Sequence, residues 1–147
     1  MNFYGRKDEL ALLHTTQIRA KQSSQFTVVI GRRRVGKTRL VLHSLDQADH
    51  LYFFVSKKAE KLLCQDFLRQ VETTYHEVPD GEINRFAGVF QFVCRLARNR
   101  PINLFIDEFQ ELAGVNSSIF SEIQRDWDLN KDRMRLNLIV CGSVQSM

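Results

Sequence analysis

Residues 31–38 of this 147-residue chain read GRRRVGKT and have the spacing of a phosphate-binding loop, GxxxxGK[ST]. In such a loop, glycines let successive backbone N–H groups turn inward around a phosphate at a helix N-terminus. The pattern predicts that Lys37 contacts phosphate oxygens and that the Thr38 hydroxyl binds magnesium. The nucleotide-binding residues predicted from this segment are Gly31, Arg32, Arg33, Arg34, Val35, Gly36, Lys37, Thr38 and Arg39.

The three arginines inside the loop have two interpretations. The variable positions of a phosphate loop contribute mainly backbone N–H groups, so Arg32, Arg33 and Arg34 need not touch phosphate through their side chains. We favour solvent exposure for these side chains. The alternative for the whole segment is a glycine turn with a solvated basic cluster, but its position between an apolar strand and a helix argues against that.

A pair of carboxylates follows the apolar segment 102–106. This segment, INLFI, is followed directly by Asp107 and Glu108, which is the pattern of a Walker B element. Beside a phosphate loop, Asp107 would hold magnesium, and Glu108 would orient and deprotonate an attacking water. The alternative is a surface acidic pair that caps the following helix, because acids favour a helix N-terminus.

Ser143 is a third candidate for chemistry, because it follows the apolar run LNLIVC and a single glycine. Its hydroxyl would emerge from a strand beside the γ-phosphate, where it could sense that phosphate or hold the water. The alternative is an ordinary turn residue, since serine after glycine is common in turns.

An arginine finger is a further requirement of many nucleotide hydrolases, supplied in some of them by a neighbouring molecule. It would be sought after Glu108, where Arg125, Arg133 and Arg135 are the candidates. Each has the alternative of a solvated or ion-paired surface residue, so the sequence does not choose among them.

Hydrophobic periodicity predicts the elements that position these residues. Short apolar runs predict strands at residues 26–30, 51–55, 102–106 and 136–141. Helical spacing predicts helices at residues 6–21, 36–46, 56–75, 83–97 and 117–128. Strands that alternate with helices predict an α/β domain with a mostly parallel sheet, and ligands bind at the carboxyl ends of such strands.

Two details of this prediction concern local burial and capping. Residues 26–30 are expected to form a buried strand of the sheet. Ser56 is expected to be the N-cap of the helix at residues 56–75. The buried face of that helix is predicted to consist of Leu62, Leu63, Phe67, Leu68 and Val71.

With 44% apolar and 26% charged residues, the composition is typical of a globular protein, and the length of 147 residues predicts one domain. The N-terminal segment MNFYGRKDEL lacks the apolar core of a signal peptide, so we expect the cytoplasm. The net charge of +4 is too small to argue for nucleic acid by itself. No apolar run approaches the roughly 20 residues that span a bilayer, so no membrane partner is expected. The three cysteines lie in apolar segments and are expected in the core, and the four histidines lack metal-ligand spacing.

The motifs together resemble the archaeal-type AAA+ ATPase family. The segments that carry the resemblance are FYGR with the following EL, then GRRRVGKTRL, YFFVSKKAE, LFIDEFQEL and LIVCGS. The resemblance implies a three-layer α/β/α P-loop NTPase in which the strand ending at Ser143 lies between the strands that precede Thr38 and Asp107. It also places Ser143 at the sensor 1 position. The residues it implies near the adenine and ribose are Phe3, Gly5 and Arg6, for which a fold-anchoring N-terminal segment is the alternative.

The chain stops at Met147, whereas members of the family continue through a fifth strand, a helical lid and commonly a C-terminal DNA-binding or nuclease-like domain. We therefore expect residues 1–147 to be the ATPase core domain of a longer protein. The resemblance leaves two kinds of association open. One is a homo-oligomer, and the other is a DNA or protein partner bound through the C-terminal parts.

The sequence favours an ATPase that uses Mg²⁺. Its hydrolysis of ATP would be coupled to conformational change in the C-terminal parts. Adenine is favoured over guanine by the resemblance. The alternative from another class is a slow or non-hydrolysing nucleotide-dependent scaffold for DNA or a protein. A small-molecule kinase is a third reading, which the paired carboxylates after the strand disfavour.

Overall fold

A parallel sheet and the helices on its two faces make up the computed structural model, which describes residues 6–31 and 36–143. The strands are β1 (Gln25–Gly31), β2 (Leu51–Phe54), β3 (Ile102–Asp107) and β4 (Leu136–Ser143). The helices are α1 (Arg6–Arg19), α2 (Lys37–Leu45), α3 (Glu60–Tyr75), α4 (Phe86–Ala97), α5 (Leu112–Val115) and α6 (Ile119–Asn130). A 3₁₀ turn, Phe109–Glu111, connects β3 to α5.

The four strands lie in the order β1-β4-β3-β2, and each neighbouring pair is parallel. The last strand in the chain, β4, is therefore inserted between β1 and β3. This is the position predicted for the strand that ends at Ser143. In the register of the sheet, Gly31 pairs with Ser143 and Asp107 pairs with Cys141, so the carboxyl ends of three strands meet at one edge.

Both faces of β3 and β4 are covered, which explains why these strands are almost continuously apolar. On one face, Leu104 and Ile106 belong to the larger core cluster, which contains the buried side chains of α3, α4 and α6. On the other face, Phe105 and Cys141 pack with residues of α1 and α2. The predicted three-layer α/β/α architecture is confirmed.

Three phenylalanine rings join β2 to α3 and α4 in the larger core. Phe53 of β2 and Phe67 of α3 stack with their ring centroids 4.2 Å apart. Phe86, at the start of α4, meets both rings edge to face. All three side chains are buried, so this cluster holds the two helices against the strand that borders the candidate site.

The expectation of a buried first strand is wrong, because the residues of β1 alternate between partly buried and exposed. Phe26, Val28 and Ile30 are 40%, 54% and 64% exposed. Among the described residues β1 pairs only with β4, so it lies at the edge of the sheet. Its apolar side chains on one face are consequently left uncovered, apart from an edge-to-face contact between Phe26 and Trp127.

The predicted start of α3 is also wrong. Ser56 is not its N-cap, because the helix begins at Glu60 after Ala59. The intervening residues form a turn in which the Lys58 N–H donates to the Ser56 carbonyl at 2.9 Å. Glu60 is instead held by accepting a 2.8 Å hydrogen bond from the Phe86 N–H.

The buried face of α3 was predicted correctly at Leu63, Phe67 and Val71, whereas Leu68 is only partly buried against the core. Leu62 is 51% exposed, and the buried side chains follow Leu63, Cys64, Phe67, Val71 and Tyr75 instead. The apolar stripe is therefore centred on Leu63 and Phe67, and Leu62 lies beyond its flank on the solvent side.

Two other predictions are confirmed. The cysteines Cys64, Cys94 and Cys141 are buried, and the polar stretch after β3 forms α6. The short helix α5 was not predicted, because four residues carry too little periodicity to recognise.

No helix in the described ranges combines the length and apolar character needed to cross a membrane.

Candidate functional site

A cavity of about 550 Å³ opens at the carboxyl edge of the sheet. Its lining includes described residues of the phosphate-loop segment, the acidic pair after β3 and the end of β4. The predicted residues that line it are Gly36, Lys37, Thr38, Arg39, Asp107, Glu108 and Ser143. The other lining residues, which were not predicted, are Phe54, Val55, Ser56, Lys57 and Glu111.

The described parts of the phosphate-loop segment are Gly31 and the residues from Gly36 onward, of which Gly36, Lys37 and Thr38 line this cavity. Gly31 ends that strand, and Gly36 immediately precedes α2 with φ 78° and ψ 21°, a left-handed conformation that favours glycine. Lys37 is the first residue of α2 and is 7% exposed, and its Nζ donates to the Gly31 carbonyl at 3.1 Å. A helix N-terminus with a lysine ammonium at the mouth of a cavity is suited to an anion.

Asp107 is held from three directions at the end of β3. Its Oδ2 accepts hydrogen bonds from the Thr38 hydroxyl at 2.8 Å and from the Tyr52 hydroxyl at 2.7 Å. Its Oδ1 accepts from the Glu108 N–H at 2.9 Å. The carboxylate is 3% exposed, so its orientation is set by these three donors.

Tyr52 was missed in the sequence, although it lies in the YFF segment. Burial raises the pKa of its hydroxyl, and the hydrogen bond to Asp107 raises it further. The phenol therefore stays a hydrogen-bond donor to Asp107 across the physiological pH range. Its ring packs against Phe105 with the centroids 5.2 Å apart, which directs the hydroxyl along β3 toward the carboxylate.

Cys141 lies beside Asp107 in the adjacent strand. Burial and the neighbouring Asp107 carboxylate raise the pKa of its thiol to about 12. The thiol is therefore protonated at neutral pH and is a poor nucleophile, which supports its interpretation as a core residue.

Glu108 has a left-handed backbone, with φ 56° and ψ 45°. Such a conformation is unfavourable for a residue with a side chain and persists where its surroundings enforce it. The carboxylate accepts from the Gln110 side-chain amide at 2.5 Å through Oε2, and from the Ser143 hydroxyl at 3.3 Å through Oε1. The structure thus places Glu108 and Ser143 in contact, although they are far apart in the chain.

Gln110 is a second residue that sequence analysis missed. Besides donating to Glu108, its Oε1 accepts a 3.3 Å hydrogen bond from the Ser143 N–H. The available signal was a polar residue two positions after the acidic pair in an otherwise apolar segment, DEFQEL. That signal says nothing about a partner on β4.

Lys57 is a third missed residue, and it lines the same cavity as the start of α2. Within residues 6–31 and 36–143, its ammonium has no ion-pair or hydrogen-bond partner, whereas the adjacent Lys58 pairs with Asp66 at 2.8 Å. The cavity therefore combines the cationic groups of Lys37 and Lys57 with the carboxylates of Asp107 and Glu108. A polyanion that carries a divalent cation matches this mixture of charges.

Several predicted residues lie outside the described part of the chain. These are Phe3, Gly5, Arg32, Arg33, Arg34 and Val35, together with the side chain of Arg6. The three candidates for an arginine finger are described, but Arg125, Arg133 and Arg135 do not line the cavity. Their assignment stays a prediction.

Comparison with known proteins covers most of the chain. Residues 2–140 match the family described as "AAA ATPase domain". The uncharacterized protein MJECL04 of Methanocaldococcus jannaschii is 28% identical over 145 residues, which are 99% of this chain and 30% of that protein.

Two solved structures have a similar fold. The Walker-type ATPase PABY2304 of Pyrococcus abyssi superposes with a TM-score of 0.64 and 14% identity, over 90% of this chain and 44% of that one. Cdc6p from Pyrobaculum aerophilum gives a TM-score of 0.60 and 14% identity, over 97% and 40%. The chain therefore spans less than half the length of each of these three proteins.

Proposed function

Since this chain belongs to the AAA ATPase domain family, we propose that it binds ATP with magnesium and hydrolyses the nucleotide to ADP and phosphate. The match confirms the family resemblance found in the sequence. The observation that supports the proposal is the convergence of Lys37, Thr38, Asp107 and Glu108 on one cavity at the carboxyl edge of the sheet. A phosphate-binding lysine, a hydroxyl and two carboxylates are the groups that phosphoryl transfer to water requires.

Phosphate binding is assigned to the N-terminus of α2 and to Lys37. The backbone N–H groups at the start of a helix are unsatisfied and carry partial positive charge, which favours a phosphate at that point. The Lys37 ammonium is confined by burial and by the Gly31 carbonyl. The ammonium would therefore interact with the β- and γ-phosphates from a fixed position.

Thr38 and Asp107 are the residues proposed to hold magnesium. The Thr38 hydroxyl and Asp107 Oδ2 lie 2.8 Å apart, and both residues line the cavity. Mg²⁺ prefers hard oxygen ligands from one or two side chains together with phosphate and water. The donor set therefore fits this ion. When bound, magnesium neutralises negative charge that develops on the phosphates.

Glu108 is proposed to be the general base. A water oxygen attacks the γ-phosphorus, the bond from that phosphorus to the bridging oxygen breaks, and ADP leaves with that electron pair. The water proton passes to the Glu108 carboxylate. Ser143 contacts the same carboxylate, so it is placed to hold the water or sense the γ-phosphate.

Lys37→Ala is expected to weaken binding of Mg·ATP by about 10- to 100-fold, since a hydrogen bond to a charged group contributes roughly 1.5–3 kcal/mol. Calorimetric titration of ATP and ADP into both proteins measures this change. Lys21→Ala, at an exposed position outside the site, is the matched control and should bind like the wild type. Equal affinity of the wild type and Lys37→Ala would reject the assignment of the loop.

Tyr52→Phe is expected to raise the Mg²⁺ concentration needed for half-maximal ATP binding by about 10-fold, because partners of metal-holding residues commonly contribute that much. The substitution removes only the hydroxyl that donates to Asp107 Oδ2. The control is Tyr75→Phe, whose hydroxyl donates to the Asp49 carbonyl away from the site. An unchanged Mg²⁺ requirement in Tyr52→Phe would show that the other two donors suffice to orient Asp107.

We further propose that hydrolysis is coupled to a conformational change in C-terminal parts that follow the present chain. Those parts would bind DNA or a protein partner. This proposal is supported by the length of the relatives, of which this chain spans 30% in the Methanocaldococcus protein. Phosphate release measured beside ATP binding separates the alternatives. Binding without release would favour the nucleotide-dependent scaffold over the ATPase.

A further inference from the structure

Gln110 joins two parts of the site that are brought together only by the fold. Its amide nitrogen donates to Glu108 Oε2 at 2.5 Å, and its amide oxygen accepts from the Ser143 N–H at 3.3 Å. Both ends of one side chain are therefore engaged, one with the proposed base and the other with the last residue of β4.

The two contacts have different consequences for the Glu108 carboxylate. Oε2 accepts the short hydrogen bond from Gln110, whereas Oε1, among residues 6–31 and 36–143, has only the longer contact with the Ser143 hydroxyl. A general base must accept a proton in a defined direction. Fixing Oε2 determines where Oε1 points and leaves Oε1 as the oxygen available to water.

The main chain at both ends is shaped to accept this bridge. A Cβ at Gly142 would lie 3.0 Å from Gln110 Oε1, closer than ordinary packing allows, so the absence of a side chain makes room for the amide. At the other end, the left-handed backbone of Glu108 begins the 3₁₀ turn that carries Gln110. The side chain of Gln110 compensates for part of that strain by tying the turn to β4.

We propose that Gln110 is a positioning residue that fixes the Glu108 carboxylate against the end of β4 and so orients it toward the attacking water. This inference rests on the proposed hydrolysis of ATP with Glu108 as base. Gln110 acts through Glu108 and does not touch the nucleotide, since it is absent from the lining of the cavity. Its loss should therefore affect kcat and leave nucleotide affinity unchanged.

Two substitutions separate the two ends of the bridge. Gln110→Met keeps the length of the side chain and removes both the donor and the acceptor. Gln110→Glu keeps the acceptor for Ser143 and removes the donor to Glu108. We expect both to lower kcat by about 10- to 100-fold, because a small misplacement of a reacting group costs up to about 100-fold. The matched control is Gln124→Met, at an exposed position on α6.

The measurements are ATP affinity by calorimetry, phosphate release at saturating ATP, and the unfolding midpoint of each variant. The same Gln110→Met change is also made in the Glu108→Gln protein. A residue that acts through Glu108 should have less than about a two-fold effect there, because interacting sites are non-additive. A structural role would instead lower the residual rate by a similar factor in both backgrounds.

The outcomes distinguish this inference from the function on which it rests. A loss of kcat in the wild-type background alone, with ATP affinity kept, supports the positioning role. Unchanged or increased kcat in Gln110→Met, or equal losses in both backgrounds, overturns it while the ATPase assignment stands. A wild-type chain that binds ATP and releases no phosphate overturns the proposed hydrolysis, and the positioning role with it.

Discussion

Glu108→Gln is expected to reduce ATP turnover by about 10²- to 10⁴-fold, the usual contribution of a positioned general base. The glutamine amide keeps the size of the carboxylate but cannot take a proton from water at neutral pH. Nucleotide binding should stay within about three-fold of the wild type, because the changed group is proposed to act on water and not on the bound phosphates. Phosphate release at saturating ATP and calorimetric titration measure the two quantities.

The control for this experiment is Glu72→Gln, an identical chemical change at an exposed position on α3. It should leave both turnover and affinity unchanged. Turnover in Glu108→Gln equal to that of the wild type would remove Glu108 from the mechanism. The acidic pair would then have the alternative role considered from the sequence, that of capping the helix that follows β3.

Phe67→Ala is expected to lower the free energy of unfolding by about 3–5 kcal/mol, the range observed when a buried aromatic side chain is truncated. The ring stacks on Phe53 at 4.2 Å and meets Phe86 at 5.7 Å, and it is 2% exposed. Its removal leaves a cavity where β2, α3 and α4 meet. Domains of this size are stable by roughly 5–15 kcal/mol, so the loss would be a large fraction of the total.

Denaturation by urea, followed by circular dichroism, measures this change. The matched control is Phe54→Ala, in the same strand as Phe53 but with its ring 48% exposed. Its free energy of unfolding should fall by less than about 1 kcal/mol, as is usual for surface positions. An equal loss of unfolding free energy in the two variants would mean that the three-ring cluster contributes no more to stability than an exposed ring does.

The parts of the fold that were predictable from the sequence depend on local patterns. The strand, glycine loop and helix at residues 26–46 each have a short-range signal, and so does the apolar strand before Asp107. The parallel α/β class follows from the alternation of such elements. The order of the strands came from the family resemblance, because hydrophobic pattern does not distinguish a central strand from its neighbour.

The remaining features depend on contacts between distant segments. The exposed face of β1 has the same apolar residues as a buried strand, so its edge position could not be deduced from them. The helix α3 begins at Glu60, whose side chain accepts a hydrogen bond from the first N–H of α4 at Phe86, and no local pattern anticipates that partner. Ser56 was a reasonable N-cap by residue type alone.

The candidate site also contains residues with local sequence signals and residues whose position depends on distant contacts. Lys37, Thr38, Asp107 and Glu108 could be grouped from the sequence because they lie in motifs, and the structure places them around one cavity. Their roles stay predictions. Tyr52 and Gln110 were missed because their roles come from partners in other strands. A tyrosine in an apolar strand is usually core, and the register that aligns β2 with β3 was needed to see that this hydroxyl reaches Asp107.

The position of β4 has a consequence for how the chain must fold during synthesis. This strand leaves the ribosome last of the four, yet it must enter between two strands made earlier. A hydrogen bond from the Leu136 N–H to the Ser24 hydroxyl joins residues 112 positions apart, and contacts of such separation slow folding. The edges of β1 and β3 stay unpaired until β4 has been made, and unpaired strand edges are prone to aggregation, so variants that weaken β4 are expected to lower the yield of folded protein.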